Sequence, residues 1–256
     1  MNEEIRTLDL FSGIGGFSLG LEWASPAFRT VAFCERDPFA QRVLRKHWPE
    51  VPIYDDVKTI PTDGLGRIDL VTGGFPCQPW SVAGKREGAK DKEGRDLWPA
   101  MVTLIKKLRP RFVLGENVRG FVNEPMGLER SLSDLESIGY KAVTFIISAI
   151  AIHSARHRRD RVWILAHSNS QRCCKGKVQE KVNSKKFRKW RANDANIFSN
   201  IIPSAEGVRG YDGVSEGLDK ARIRSLGNAV VPQVVEQIGK AILEGWSHNL
   251  GNKINE

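Results

Sequence analysis

The chain has 256 residues, 41% hydrophobic and 27% charged, which gives room for one or two domains with a sizeable core and excludes wholesale disorder. No apolar run approaches the ~18 residues a membrane span needs; Thr144–Ile152, the longest, contains Ser148. Four cysteines, Cys34, Cys77, Cys173 and Cys174, are too few and too irregular for a disulfide framework or a structural zinc site, and no metal is expected.

The opening MNEEIRTLDLF carries acids where a secretory signal would carry positive charge, which predicts a cytoplasmic protein. Ile5–Phe11 then reads as a strand, Ile14–Trp23 as a helix, Thr30–Glu35 as a strand and Pro38–His47 as a helix. Ile68–Thr72 reads as a strand, Leu97–Leu108 as a helix, Phe112–Gly115 as a strand and Ser131–Ile138 as a helix. Two more strands follow, Lys141–Ala149 and Arg161–Ala166. This alternation predicts an α/β domain with a parallel sheet and crossovers on both faces. After Ala166 the periodicity fades. It returns at Val230–Leu243, where Val231, Val234, Val235, Ile238, Ala241 and Ile242 recur at helical spacing and Pro232 fits the first turn. The expected organisation is a catalytic domain over 1–167, an insertion over 168–222, a segment and helix over 223–247 that complete the domain, and a frayed tail over 248–256.

The net charge is +9, from 39 basic and 30 acidic residues, and it is concentrated. Between Asn169 and Asn200 nine basic residues face only Glu180 and Asp194, which places +7 of the +9 in that stretch. Such a patch is the footprint of a polyanion partner or a solvated insertion, and charge alone does not separate the two.

Several motifs lie where strands end. In Asp9-Leu10-Phe11-Ser12-Gly13-Ile14-Gly15-Gly16-Phe17 a strand runs into a glycine turn and a helix, so the backbone can approach a ligand at the helix N-terminus. The dinucleotide spacing G-x-G-x-x-G is not met, because the third glycine would fall at Ser18, and a nicotinamide oxidoreductase is excluded. A tight turn without a ligand is the plain alternative. Glu35 at the end of the next strand, placed to accept ribose hydroxyls, and Asp56, on a further strand end ahead of Ile68–Thr72, argue against it. Gly73-Gly74-Phe75-Pro76-Cys77-Gln78-Pro79-Trp80-Ser81 follows another strand and presents Cys77 on a rigid turn, unlike a core cysteine. Glu116-Asn117-Val118 comes directly after the strand ending at Gly115, so its carboxylate shares the edge with Cys77; helix capping or solvation is the plain alternative. Arg159 and Arg161, two apart in His157-Arg158-Arg159-Asp160-Arg161, face one side at a strand start, and Gly227-Asn228-Ala229-Val230-Val231-Pro232 opens the last helix.

These motifs, in this order, resemble the cytosine-5 DNA methyltransferase family over Leu8–Ala166 and Ile223–Leu243. The resemblance implies a Rossmann-like, S-adenosylmethionine-dependent methyltransferase sheet with a small inserted target-recognition region. It assigns Phe11, Gly13, Gly15, Gly16, Glu35, Asp56, Val57, Pro76, Leu97 and Asn228 to the cofactor pocket, and Cys77, Glu116, Arg159 and Arg161 to catalysis. It gives DNA contacts to Gln78 and Ser81, and matches Val82–Asp96, with Lys85 and Arg86, to a loop that closes over DNA. The basic side chains Lys185, Lys186, Arg188, Lys189 and Arg191 of the insertion are expected on phosphates. Two departures stand out: His157 replaces the glutamine of the family's Gln-x-Arg-x-Arg, and Gly213–Ser225 is a compressed version of the segment before Gly227.

The implied activity is methyl transfer from S-adenosylmethionine to carbon 5 of a cytosine flipped from double-stranded DNA, in a monomer. Alternatives are an RNA (tRNA) cytosine-5 methyltransferase and an idle nucleic-acid-binding relative. The recognised sequence and any cognate restriction endonuclease cannot be read from the chain.

Overall fold

A computed structural model describes residues 4–76, 96–123, 127–148, 160–168, 225 and 228–251. In chain order these form β1 (Ile5–Leu10), α1 (Gly16–Ala24), β2 (Phe28–Cys34), α2 (Pro38–His47), β3 (Ile53–Tyr54), β4 (Leu70–Gly73), α3 (Trp98–Leu108), β5 (Phe112–Val118), α4 (Leu128–Ser137), β6 (Tyr140–Ser148), β7 (Asp160–Ser168) and α5 (Pro232–Gly251). Short 3-10 turns occupy Thr62–Gly64 and Arg119–Asn123.

The seven strands among the described residues build one sheet in the order β3-β2-β1-β4-β5-β7-β6. The first five are parallel, and their near-continuous apolar runs reflect burial on both faces. Phe17 and Leu21 of α1 and Val234, Val235 and Ile238 of α5 pack with Ile5, Phe28, Leu70, Leu114 and Trp163 on one face. Met101 and Ile105 of α3 and Leu135 of α4 pack with Leu8, Leu10, Val71, Val113 and Ile164 on the other. A one-residue register shift sets Thr7 opposite Thr30 but Leu8 opposite Ala32, so Val31 has no partner across β1. The bulge leaves Thr30 aimed at α1 while Ala32 and Cys34 join the opposite face.

The expectation of a parallel sheet fails at β7, which pairs antiparallel with both β5 and β6. The reason is length. Only residues 149–159 separate β6 from β7. A parallel return needs a crossover of about a dozen residues or more, usually a helix, whereas a shorter link suffices for a hairpin. The pairing also carries β5 beyond Gly115 to Val118, so Glu116 sits within the strand rather than after it. Helix α5 begins at Pro232 and continues to Gly251, past Leu243 and into the expected tail. No helix among the described residues is long and apolar enough to cross a membrane.

Candidate active site

Strand order reverses between β1 and β4: the chain moves outward to β2 and β3, then returns to the other side of β1. In open α/β sheets such a switch point opens a crevice at the carboxyl ends of the strands. The turn after β1 lines it. Phe11, Gly13 and Gly15 have φ of 53°, 54° and 87°. Phe11 takes the left-handed region without being glycine, a conformation that costs energy and clusters at functional sites. At Gly15 glycine is required twice over, since a Cβ would also lie 2.5 Å from the Trp48 ring. At Gly13 a Cβ would meet nothing within 4 Å among the described residues, so the turn faces open space there.

Glu35 stands directly after β2. Its Oε2 accepts the Gly13 N–H at 2.7 Å and its Oε1 accepts the Asp37 N–H at 2.7 Å. The carboxylate therefore braces the glycine turn against the start of α2, and each oxygen retains a lone pair for a further donor. Asp56 follows β3 and is exposed; its Oδ1 accepts the Lys58 N–H at 2.9 Å. Val57 is buried in the same cluster as Leu10 and Cys34, and Phe11 and Leu97 pack against that cluster. Burial pushes the Cys34 thiol up to about 12, with the charges of Glu35, Asp56, Asp55 and Asp9 adding to the rise, so this cysteine is no nucleophile. Gly16 is used for packing: a Cβ there would lie 2.5 Å from the Val230 carbonyl oxygen, which brings the segment after Asn228 onto the turn.

The second half of the site lies on β4, β5 and β7. Glu116 on β5 is opposite Trp163 and Val118 is opposite Arg161, so Glu116 and Arg161 form a diagonal pair on one face of the sheet. Arg161 Nε reaches Glu116 Oε1 at 2.8 Å, with both side chains largely buried. The other oxygen, Oε2, faces the end of β4. A Cβ on Gly74 would lie 3.5 Å from it, 3.7 Å from Val230 Cγ2 and 3.8 Å from Phe17 Cε2. Gly74 is three residues before Cys77. The loop it opens is fixed at its root, because Asn117 Nδ2 donates to the Phe75 carbonyl at 3.3 Å and the Phe75 ring packs on Trp98 and Phe121, with centroids 5.0 Å and 5.3 Å away.

Of the residues singled out in the sequence, the fold gathers Phe11, Gly13, Gly15, Gly16 and Glu35 around one turn, while Val57 and Leu97 belong with the apolar cluster on one face of the sheet. It brings Glu116, Arg161 and Gly74 together across three strands. Pro76 continues from Phe75, and Asn228 is exposed near Val230. Cys77, Gln78, Ser81, Lys85, Arg86, Arg159, Lys185, Lys186, Arg188, Lys189 and Arg191 lie outside the described residues. Sequence reasoning missed the direct Arg161–Glu116 pair, the brace from Asn117 to Phe75 and the buried hydroxyls around Asp9. None of the three has a spacing signature, because each depends on strand pairing across the sheet.

The family model for C-5 cytosine-specific DNA methylase matches residues 5–208. The type II methyltransferase M.PspPI of Psychrobacter sp. (strain TA137) is 36% identical over 162 residues, 62% of this chain and 38% of that protein. M.Eco47II of Escherichia coli is 34% identical over 172 residues, 66% of this chain and 40% of its own length. The chain thus spans about two fifths of the length of these relatives. Among solved structures, a DNMT2 variant of Spodoptera frugiperda superposes with a TM-score of 0.55 at 20% identity, covering 68% of this chain and 53% of that one. A putative DNA modification methyltransferase encoded within an E. coli prophage gives 0.55 at 24% identity, covering 67% and 49%. At these identities the superpositions speak to the fold alone. With four fifths of its length matched, from β1 past β7, the chain belongs to the C-5 cytosine-specific DNA methylase family.

Proposed function

We propose that the chain is a DNA cytosine-5 methyltransferase acting on a cytosine flipped out of duplex DNA. The observation that carries this reading is the Glu116–Arg161 pair, 2.8 Å apart, beside the strand end that leads to Cys77. A carboxyl group held there by a guanidinium, next to a cysteine loop, suits a base that must be protonated and attacked at once.

The turn fits S-adenosylmethionine: Gly13 faces open space among the described residues, Glu35 keeps lone pairs for ribose hydroxyls, and the partly buried Leu97 offers apolar surface, with Val57 buried in the core it packs against. Phe11, Gly15, Gly16, Asp56, Pro76 and Asn228 complete the proposed pocket. When bound, the cofactor supplies an electrophilic sulfonium methyl group. Carbon 5 of cytosine is a poor nucleophile. The Cys77 thiolate forms a bond to carbon 6 while Glu116 gives a proton to ring nitrogen 3, which leaves an enamine nucleophilic at carbon 5. Arg161 holds Glu116 in place and lies near where the exocyclic oxygen gathers charge, and Arg159 favours the thiolate. After carbon 5 takes the methyl group, loss of its proton to a base expels Cys77 as the thiolate, ring nitrogen 3 returns its proton to Glu116, and the aromatic ring is restored. A stacked base is out of reach of all these groups, so flipping is required. Gln78, Ser81, Lys85 and Arg86 are proposed to contact the DNA.

Duplex DNA carrying 5-fluorocytosine tests the reading. Addition and methyl transfer proceed, but fluorine does not leave as a proton does, so a denaturant-resistant protein–DNA adduct accumulates only when S-adenosylmethionine is present. Cys77→Ala abolishes it, and Cys34→Ala, Cys173→Ala and Cys174→Ala do not. An adduct that persists in Cys77→Ala refutes the nucleophile. Methyl transfer to tRNA and not to duplex DNA refutes the substrate class.

A further inference from the structure

Beneath the glycine turn lies a buried polar knot that the proposed reaction does not use. Asp9 is 0% exposed. Its Oδ2 accepts Ser18 Oγ–H at 2.9 Å and its Oδ1 accepts Thr72 Oγ1–H at 2.8 Å. Ser18 Oγ in turn accepts Thr30 Oγ1–H at 2.8 Å, and Ser12 Oγ donates to the Asp9 carbonyl at 2.6 Å. Strands β1 and β4 and helix α1 meet at this carboxylate, and β2 joins the knot through Thr30 on Ser18. Ser18 and Thr72 are also fully buried.

For stability alone this is a poor choice. A buried carboxylate carries a large desolvation cost, and apolar side chains of similar volume often replace buried charges without loss. What a carboxylate adds is direction, since its two oxygens fix two donors in one plane. One donor belongs to the first turn of α1, three residues after Gly15. The other belongs to β4, two residues before Gly74 and five before Cys77.

We propose that Asp9 is a positioning residue for methyl transfer, tying the cofactor turn through Ser18 to the strand of the nucleophile loop through Thr72, so that the two halves of the site keep one relative setting. This rests on the methyltransferase reading. Asp9 touches neither reacting group. It acts through geometry, where a misplacement of about 1 Å can cost ~10²-fold in rate.

The test uses the full chain with Asp9→Asn, Ser18→Ala, Thr72→Val and the double variant of the last two. Ser18→Ala and Thr72→Val each cut one arm of the tie and leave the other in place, so they keep the question open should Asp9→Asn fail to fold. At temperatures where circular dichroism shows all proteins folded, S-adenosylmethionine affinity by calorimetry stays within about threefold. Single-turnover methyl transfer at saturating DNA and cofactor falls about tenfold or more in each single variant, and the double variant is no slower than the worse single, because both cut the same tie. A second readout needs no activity: hydrogen exchange quickens at both 11–16 and 73–75 whichever arm is cut.

Wild-type rates in folded variants overturn the proposal. So do losses confined to cofactor affinity, losses that multiply in the double variant, and exchange changes limited to the substituted element. If the unaltered chain transfers no methyl group to DNA or tRNA, the methyltransferase reading fails, and the exchange pattern alone decides whether Asp9 couples the two segments.

Discussion

Burial pushes the Asp9 carboxyl up from its ordinary 3.8 to about 7; the hydroxyls of Thr72 and Ser18 oppose the rise and the charge of Glu35 adds to it. An acid whose folded value lies above its unfolded value binds a proton in the native state that the unfolded chain has already released. Between pH 3.8 and about 7 stability therefore falls as pH rises, with the full contribution present below that window and lost above it. Asp9→Asn removes this component. Its stability relative to the unaltered chain is expected to improve with pH across the window by up to roughly 1.4 kcal/mol per pH unit, levelling off near neutrality. Urea midpoints measured at intervals from pH 4.5 to 8 check it, and a constant difference between the two proteins contradicts it. The same residue shows where sequence reading stops. The glycines and Glu35 are legible because a strand end followed by Gly-x-Gly has a local geometric meaning. The knot is not, because residues 9, 18, 30 and 72 share no spacing and meet only through the sheet and the bulge in β2.

Among the elements, α1 and α5 lie close because Gly16 and Gly20, one helical turn apart, present no side chain to the partner. A Cβ on Gly20 would run into the Pro232 carbonyl and come within 2.6 Å of Val235 Cβ. Backbone cannot swing aside as a side chain tip can, so Gly20→Ala forces the helices apart. The expected cost is about 1–3 kcal/mol despite the better helix propensity of alanine. It is read as a lower thermal midpoint, with the Trp163 environment, which packs on Phe17 of α1, altered in near-ultraviolet circular dichroism. A midpoint equal to or above that of the unaltered chain rejects the close packing. Although β5 ran three residues past its expected end at Gly115 and α4 began three residues before Ser131, most element ends were readable from periodicity to within about two residues, the usual spread. Strand direction was not. Period-two patterning carries no sense of direction, and only the shortness of 149–159 betrayed the antiparallel β7. Helix α5 outran its expected end, continuing past Leu243 to Gly251.

For the whole molecule, the described fold holds most of the residues proposed for the cofactor and half of those proposed for the base, and the charge distribution concerns the rest. The chain covers about two fifths of the length of its relatives, yet +7 of its +9 charge falls between Asn169 and Asn200. Phosphate neutralisation is sequence-independent and salt-sensitive. If Lys185, Lys186, Arg188, Lys189 and Arg191 lie on phosphates, each one replaced by a neutral side chain means about one fewer counterion released on binding. The slope of log K against log salt for duplex binding then flattens by roughly 0.9 for each phosphate no longer neutralised. Replacing all five by glutamine and titrating a fluorescent duplex between low and moderate salt reads this number directly. If these side chains serve only to neutralise phosphates, single-turnover methyl transfer at saturating DNA keeps its rate while affinity drops. A slope that stays the same makes the basic stretch a solvated insertion. A rate that falls with the slope unchanged implicates those side chains in assembling the site rather than in holding the polyanion.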